Sequence, residues 1–137
     1  MGVVSPATAA ANGLRAVTAL RGLALFGAVG LGLSALAATA GIGVPCPWRT
    51  LTGTLCPFCG ATHVGVALLR GDLAGAWASN PFVLTGLVVL TLLGALWTIE
   101  ALGGPSVRAP KRLRWSSDRW WLLIGAAALG FAVWRNL

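Results

Sequence analysis

Tyrosine is absent from this chain, histidine occurs once, and the only carboxylates are Asp72, Glu100 and Asp118. No two of these acids are placed as a general acid–base pair. There is no G-x-S-x-G elbow, no phosphate-cradling glycine loop and no H-E-x-x-H metal helix. Alternating strand patterns are missing too, which removes the sheet that soluble thiol-redox folds are built on. Charge of either sign is scarce, at 9% of residues against about 25% in an ordinary soluble domain. Thirteen formally charged side chains cannot coat a water-facing surface, so a soluble globular domain is excluded and lipid is the expected solvent.

What is abundant is apolar: 57% of the 137 residues. Three stretches stand out. Residues 23–42 are twenty residues without a charge, matching the ~20 needed to cross a ~30 Å hydrocarbon core. Residues 82–99 are also uncharged, and a span to about residue 102 places Glu100 at headgroup level. Residues 120–134 number only fifteen, or about 22 Å of helix. Trp120, Trp121 and Trp134 suit interfacial belts, and Arg119 and Arg135 can snorkel, so this short stretch is expected to span as well. The reading is an all-α integral membrane protein: a tail over 1–22, then one membrane domain over 23–137 with spans near 23–42, 82–102 and 120–134. Ala38-Thr39-Ala40 resembles a leader-cleavage site, but the apolar core runs straight through it. Ala24, Ala28 and Gly32 share one helical face and are expected to pack closely, as are Ala126 and Gly130.

The net charge of +7 does not point to nucleic acid, because the aromatic-interleaved basic patches such binding requires are missing. Instead, Arg108, Lys111, Arg112, Arg114 and Arg119 crowd into the 103–119 connection. Clusters of this kind face the cytoplasm and attract anionic lipid headgroups. The 43–81 connection carries only Arg49 and Arg70, partly offset by Asp72, and is expected outside. Arg15 and Arg21 ahead of the first span agree with a cytoplasmic N-terminus. The expected location is a bacterial plasma membrane, crossed more than once. Three helices enclose too little for a transport path of their own, so a second membrane protein or self-association is the expected partner.

All three cysteines and the single histidine lie within residues 45–81. Pro45, Pro47, Thr52-Gly53 and Pro57 set turns up to Cys56. A helix is expected from about Cys59 to Arg70, closed by Gly71, and a second from the N-cap Asp72 to Ser79. Asn80-Pro81 then opens the next span. Both short helices are nearly all apolar, with Val64, Val66, Leu68, Leu69, Leu73 and Trp77. The segment is therefore expected to form a re-entrant or interfacial hairpin between the first and second spans, since irregular backbone at membrane depth must be buried in protein or line a wet cavity.

Cys46-Pro47, Thr52-Gly53, Cys56-Pro57-Phe58-Cys59-Gly60, Thr62, Gly71-Asp72 and Asn80-Pro81, in this order and spacing, resemble domain-of-unknown-function family 2752. These are small bacterial membrane proteins. The resemblance covers about forty residues closely, and the flanking spans only as generic hydrophobic helices. It implies a small multi-pass protein of undefined activity and supplies no catalytic residues. Where the family usually has arginine after the threonine, this chain has His63.

Three chemistries suit the cysteines. A disulfide from Cys46 to Cys56 or Cys59, or a Cys56–Cys59 bridge, fits an oxidising outer face and would pin the loop. Cys56-Pro57-Phe58-Cys59 also looks like a glutaredoxin-type active site, which makes Cys56 and Cys59 the redox candidates. Cys46, Cys56, Cys59 and His63 together supply four ligands of the type zinc accepts. The resemblance, with arginine implied at the His63 position, argues against a shared four-ligand site. The leading expectation is a non-enzymatic accessory or assembly component with a structural cysteine cluster and no required cofactor. A membrane thiol–disulfide oxidoreductase is the alternative, and a small transporter subunit a third.

Overall fold

The computed structural model describes residues 6–41, 45–104 and 117–137, with side chains of the first helix described from Arg15 onward. Every regular element among the described residues is helical. The first helix, α1, spans Pro6–Ala40. No proline interrupts the chain between Pro6 and Pro45, so nothing breaks the ladder of backbone hydrogen bonds. The tail expected over 1–22 is therefore helical from residue 6, and Ala16 within it is buried.

Three short helices and two further long ones follow in order. Helix α2 spans Pro47–Thr52, α3 spans Ala61–Leu69 and α4 spans Leu73–Ser79. Helix α5 spans Pro81–Ala101 and α6 spans Ser117–Asn136. The α3–α4 pair falls where the sequence placed it. Gly71, at φ +74°, turns the chain out of α3, and the Asp72 carboxylate accepts from the Gly75 N–H at 2.8 Å to start α4. Asn80 caps α5 by accepting from the Val83 N–H at 3.0 Å, and Pro81 takes the first helical position, where no N–H is needed. Helix α2 was not expected. The Pro47 that reads as a turn signal is equally suited to opening a helix, and Cys46 in extended conformation precedes it as the cap residue.

Residues 15–40 of α1 and all of α5 are long and apolar enough to cross a membrane, and only 6% of each apolar window is buried inside the protein. They are not core helices of a soluble fold. Their large apolar side chains, including Leu25, Phe26, Leu36, Val88 and Leu92, lie exposed along their length, which fits a membrane protein. Helix α6 runs for 20 residues, longer than its uncharged core, because Ser117–Arg119 and Arg135–Asn136 continue the helix at both ends. Residues 105–116, which carry most of the basic connection, lie outside the described residues.

Two close approaches hold α1 in place. Leu23 reaches into the space that a Cβ on Gly94 of α5 would fill. Eleven residues further along α1, Ser34 lies against Gly65 of α3, where a Cβ would collide with the serine Oγ. That hydroxyl is turned inward and satisfied, donating to Gly30 O at 2.8 Å. Ser34 precedes the end of α1 by six residues, or about 9 Å of helix. Helix α3 therefore lies beside the last turns of α1 rather than above them. The expected packing face of Ala24, Ala28 and Gly32 is exposed instead, and a Cβ on Gly32 would meet nothing. Glycine at 65 and 94, not the longer small-residue stripe, marks where helices touch.

Candidate functional site

The cysteine turn is assembled from two short pieces of backbone. Cys46 sits just ahead of α2, and its carbonyl accepts from the Thr50 N–H and hydroxyl at 3.1 and 2.7 Å. After α2, Gly53 adopts φ +71° and turns the chain back, with Trp48 Nε1 donating to Thr54 Oγ1 at 3.0 Å across the loop. Residues Cys56-Pro57-Phe58-Cys59 then form a tight turn closed by Cys59 N–H to Cys56 O at 3.1 Å. Gly60 follows at φ +92°, and a Cβ there would lie 3.1 Å from Ser79 O, so both conformation and space call for glycine.

This path brings all three sulfurs together. Cys46 Sγ lies 3.3 Å from Cys56 Sγ, and Cys56 Sγ donates to Cys59 Sγ at 3.1 Å. All three lie within 4.8 Å of one another. The Cys56 N–H also donates to Cys59 Sγ at 3.2 Å. The thiols are free, with separations well beyond the ~2.05 Å of a bonded pair. His63, on the first turn of α3, is exposed and lies outside the three-sulfur group, so the four-ligand set read from the sequence comes together only in its three cysteines.

The sulfurs differ electrostatically. Burial pushes the Cys56 thiol up to about 11, and its contacts with Cys59 and Cys46 add to the rise. Cys46 is drawn down to about 7, chiefly by the backbone N–H of Arg49 and then by the neighbouring Cys56 and Cys59 thiols. The thiolate is therefore favoured at Cys46, at the edge of the cluster, over Cys56 of the C-x-x-C pair. Cys46 and Cys59 also line a cleft of about 980 Å³ between the end of α1, α2, α3 and α4, with Arg49, His63, Arg70 and Asp72 around it.

The backbone of the turn is held from outside by three polar side chains. Asn80, fully buried, donates from Nδ2 to Pro57 O at 2.8 Å and Cys59 O at 3.0 Å while its Oδ1 caps α5. From the far end of the chain, Arg135 donates to Cys59 O at 2.7 Å and Ser79 O at 2.9 Å. Asn136 pairs in both directions with Leu55, accepting from its N–H and donating to its carbonyl, each at 2.9 Å. A ring stack runs alongside: Phe58 meets Phe82 edge-on at 6.0 Å, and Phe82 stacks on Phe131 at 5.5 Å. The Arg135 guanidinium lies 5.8 Å from the Phe131 ring centre.

Sequence reasoning read Arg135 as a snorkelling anchor and did not single out Asn136. Both are tied to the turn across 76 to 81 residues of sequence. The one available signal was a polar Arg-Asn pair closing an otherwise apolar helix.

No curated protein and no solved structure matches the chain. Residues 46–94 match the model of the family described as "Protein of unknown function (DUF2752)". The matched stretch opens on Cys46 and takes in the sulfur cluster, α3, α4, the Asn80 latch and α5 as far as the glycine that receives Leu23. Over that segment, about a third of the chain, the protein is similar to the DUF2752 family, and the matched residues include the cysteine turn and its Asn80 attachment.

Proposed function

We propose that this protein is a non-enzymatic accessory or assembly component of a bacterial plasma membrane, with the cysteine turn as the joint that ties three spans together. One observation carries the reading. The carbonyls of Leu55, Pro57 and Cys59 are all taken up by side chains of Asn80, the residue that caps α5, and of Arg135 and Asn136 at the end of α6. A turn locked in this way is organised to hold helices rather than to open toward a substrate.

In this reading α1, α5 and α6 cross the bilayer, and the 43–81 segment lies on the outer side. The α3–α4 hairpin dips beside α1 to the level of Ser34, as a re-entrant element would. Phosphatase fusions test the orientation: activity is expected from a fusion near residue 50 and none from one at Ala109. The reverse pattern overturns it. The unpartnered apolar faces of α1 and α5 are then covered by lipid and by another membrane protein or a second copy.

The oxidoreductase reading has one specific observation in its favour, the Cys46–Cys56 contact beside an open cleft. In that scheme the Cys46 thiolate attacks a substrate disulfide and releases one substrate thiolate. Cys56 then gives up its proton and displaces the other, leaving a Cys46–Cys56 disulfide and a substrate dithiol. The experiment that separates the two readings replaces Cys56 or Cys59 by Ser. A structural turn loses folded protein from the membrane, whereas an exchange enzyme accumulates normally and the Cys56→Ser variant traps a mixed-disulfide partner on Cys46.

A further inference from the structure

The three sulfurs converge with no histidine or carboxylate ligand among the described residues joining the group. Sulfur-only donor sets select soft ions. Structural zinc is almost always four-coordinate, and a protein site for it here would lack its fourth ligand. A metal about 2.3 Å from each of three coplanar sulfurs sets those sulfurs about 4 Å apart. The observed contacts of 3.1 and 3.3 Å lie inside that spacing by less than 1 Å, and all pairs lie within 4.8 Å. Sub-ångström side-chain adjustments convert the group to a trigonal site.

We propose that Cys46, Cys56 and Cys59 form a three-coordinate thiolate site for a single monovalent copper ion. This goes beyond the assembly role, since a turn can be a structural joint with or without an ion. Binding moves no electron: copper enters as Cu(I) and stays Cu(I), and each thiol that ligates it releases its proton to solvent.

Further features of the turn fit the ion. The Cys56 N–H already points at Cys59 Sγ at 3.2 Å, the kind of donor that steadies a ligating thiolate. Asn80 and Arg135 fix Cys59 through its carbonyl, and the guanidinium places a positive charge beside a site that carries a net negative charge when filled. The cleft lined by Cys46 and Cys59 gives an ion a route from the surface to the sulfurs.

The test uses the full-length protein, reduced and anaerobic in detergent or nanodiscs, titrated with Cu(I) against a chromogenic Cu(I) chelator. One ion per chain is expected, with copper X-ray absorption showing three sulfur neighbours and no nitrogen. Cys46→Ser, at the ligand furthest from the Asn80 and Arg135 latches, is expected to weaken binding at least 100-fold. His63→Ala is expected to leave it unchanged. The absorption spectrum needs no variant, so a folding failure in a mutant leaves the proposal falsifiable. No copper held against the chelator overturns it. So does binding that survives in Cys46→Ser, or a four-coordinate zinc ion lost on His63→Ala. Failure here with normal loss of protein in Cys59→Ser removes the ion and leaves the structural joint standing.

Discussion

The cap formed by residues 45–80 and the long helices it joins divide the molecule in an unexpected way. The cap is punctuated by Pro and Gly and carries most of the chain's reactive side chains, yet it holds Cys59, Val64, Ala76 and Asn80, four of the six buried side chains of the described residues that have one to count as core or polar. The long helices are far more apolar and bury almost nothing, with Ala16, Ser34 and Gly94 as their buried positions. Hydrophobicity therefore does different work in the two regions. In α1 and α5 it fits a lipid surrounding, a solvent as apolar as the side chains that gives them no reason to pack inward. In the cap, where backbone must turn, order comes from hydrogen bonds to carbonyls that would otherwise go unpaired.

The comparison breaks first at Asn80. Replacing Asn80 by Ala removes an N-cap and two hydrogen bonds, one buried and one part-buried, at once, a loss of about 3–4 kcal/mol. The expected outcome is little folded protein in the membrane, read by detergent-resistant accumulation and thermal melting. Near-normal accumulation would show that the cap does not depend on its carbonyl latches. Arg135→Met is expected to cost about 2 kcal/mol, discounted for partial exposure, because both Cys59 O and Ser79 O lose a charged donor. Arg135→Lys should recover only part of this, since an ammonium cannot reproduce the two-pronged geometry. Equal melting temperatures for the Lys variant and the wild type would argue that charge alone is at work.

Much of this was legible in the sequence because it is local. Asp72 as a cap, Gly71 as a stop and Asn80-Pro81 as a start each act within four residues, and the apolar runs announced α1 and α5. The register of the cysteines was legible as a cluster but not as a geometry, since whether Cys46 meets Cys56 depends on how α2 folds the chain back. The Arg135 and Asn136 attachments were legible only as a polar pair at the end of an apolar helix, not as contacts to the turn. They join residues that only the packing of α6 brings to the turn, and no spacing rule carries across so long a separation. The early start of α1 was not read because the absence of charge marks the apolar stretch, whereas the helix runs on past Arg21 and Arg15.

A smaller effect is expected at the α1–α3 contact. Gly65→Ala sets a methyl group against Ser34 Oγ and should cost about 1–3 kcal/mol. Pairing it with Ser34→Ala should restore part of that loss, a coupling that a double-mutant cycle in thermal melts would read. Strict additivity would mean that α3 does not lie beside α1 at this level. The smallest effect belongs to the lipid face. Leu25→Ala and Leu92→Ala, at positions 69% and 61% exposed, should change stability by no more than about 0.5 kcal/mol. A large loss at either would reveal a protein partner covering that face.

The most direct test of the joint is a photo-crosslinker placed at Phe131 in the protein in its native membrane. Phe131 stacks at 5.5 Å on Phe82, in the first turn of α5 directly after the cap, so a crosslink between them reports that the end of α6 lies beside that turn. The account predicts an intramolecular crosslink to the peptide containing Phe82, lost when Asn80 is replaced by Ala. A wild-type protein that crosslinks at this position only to lipid or to other proteins would contradict it.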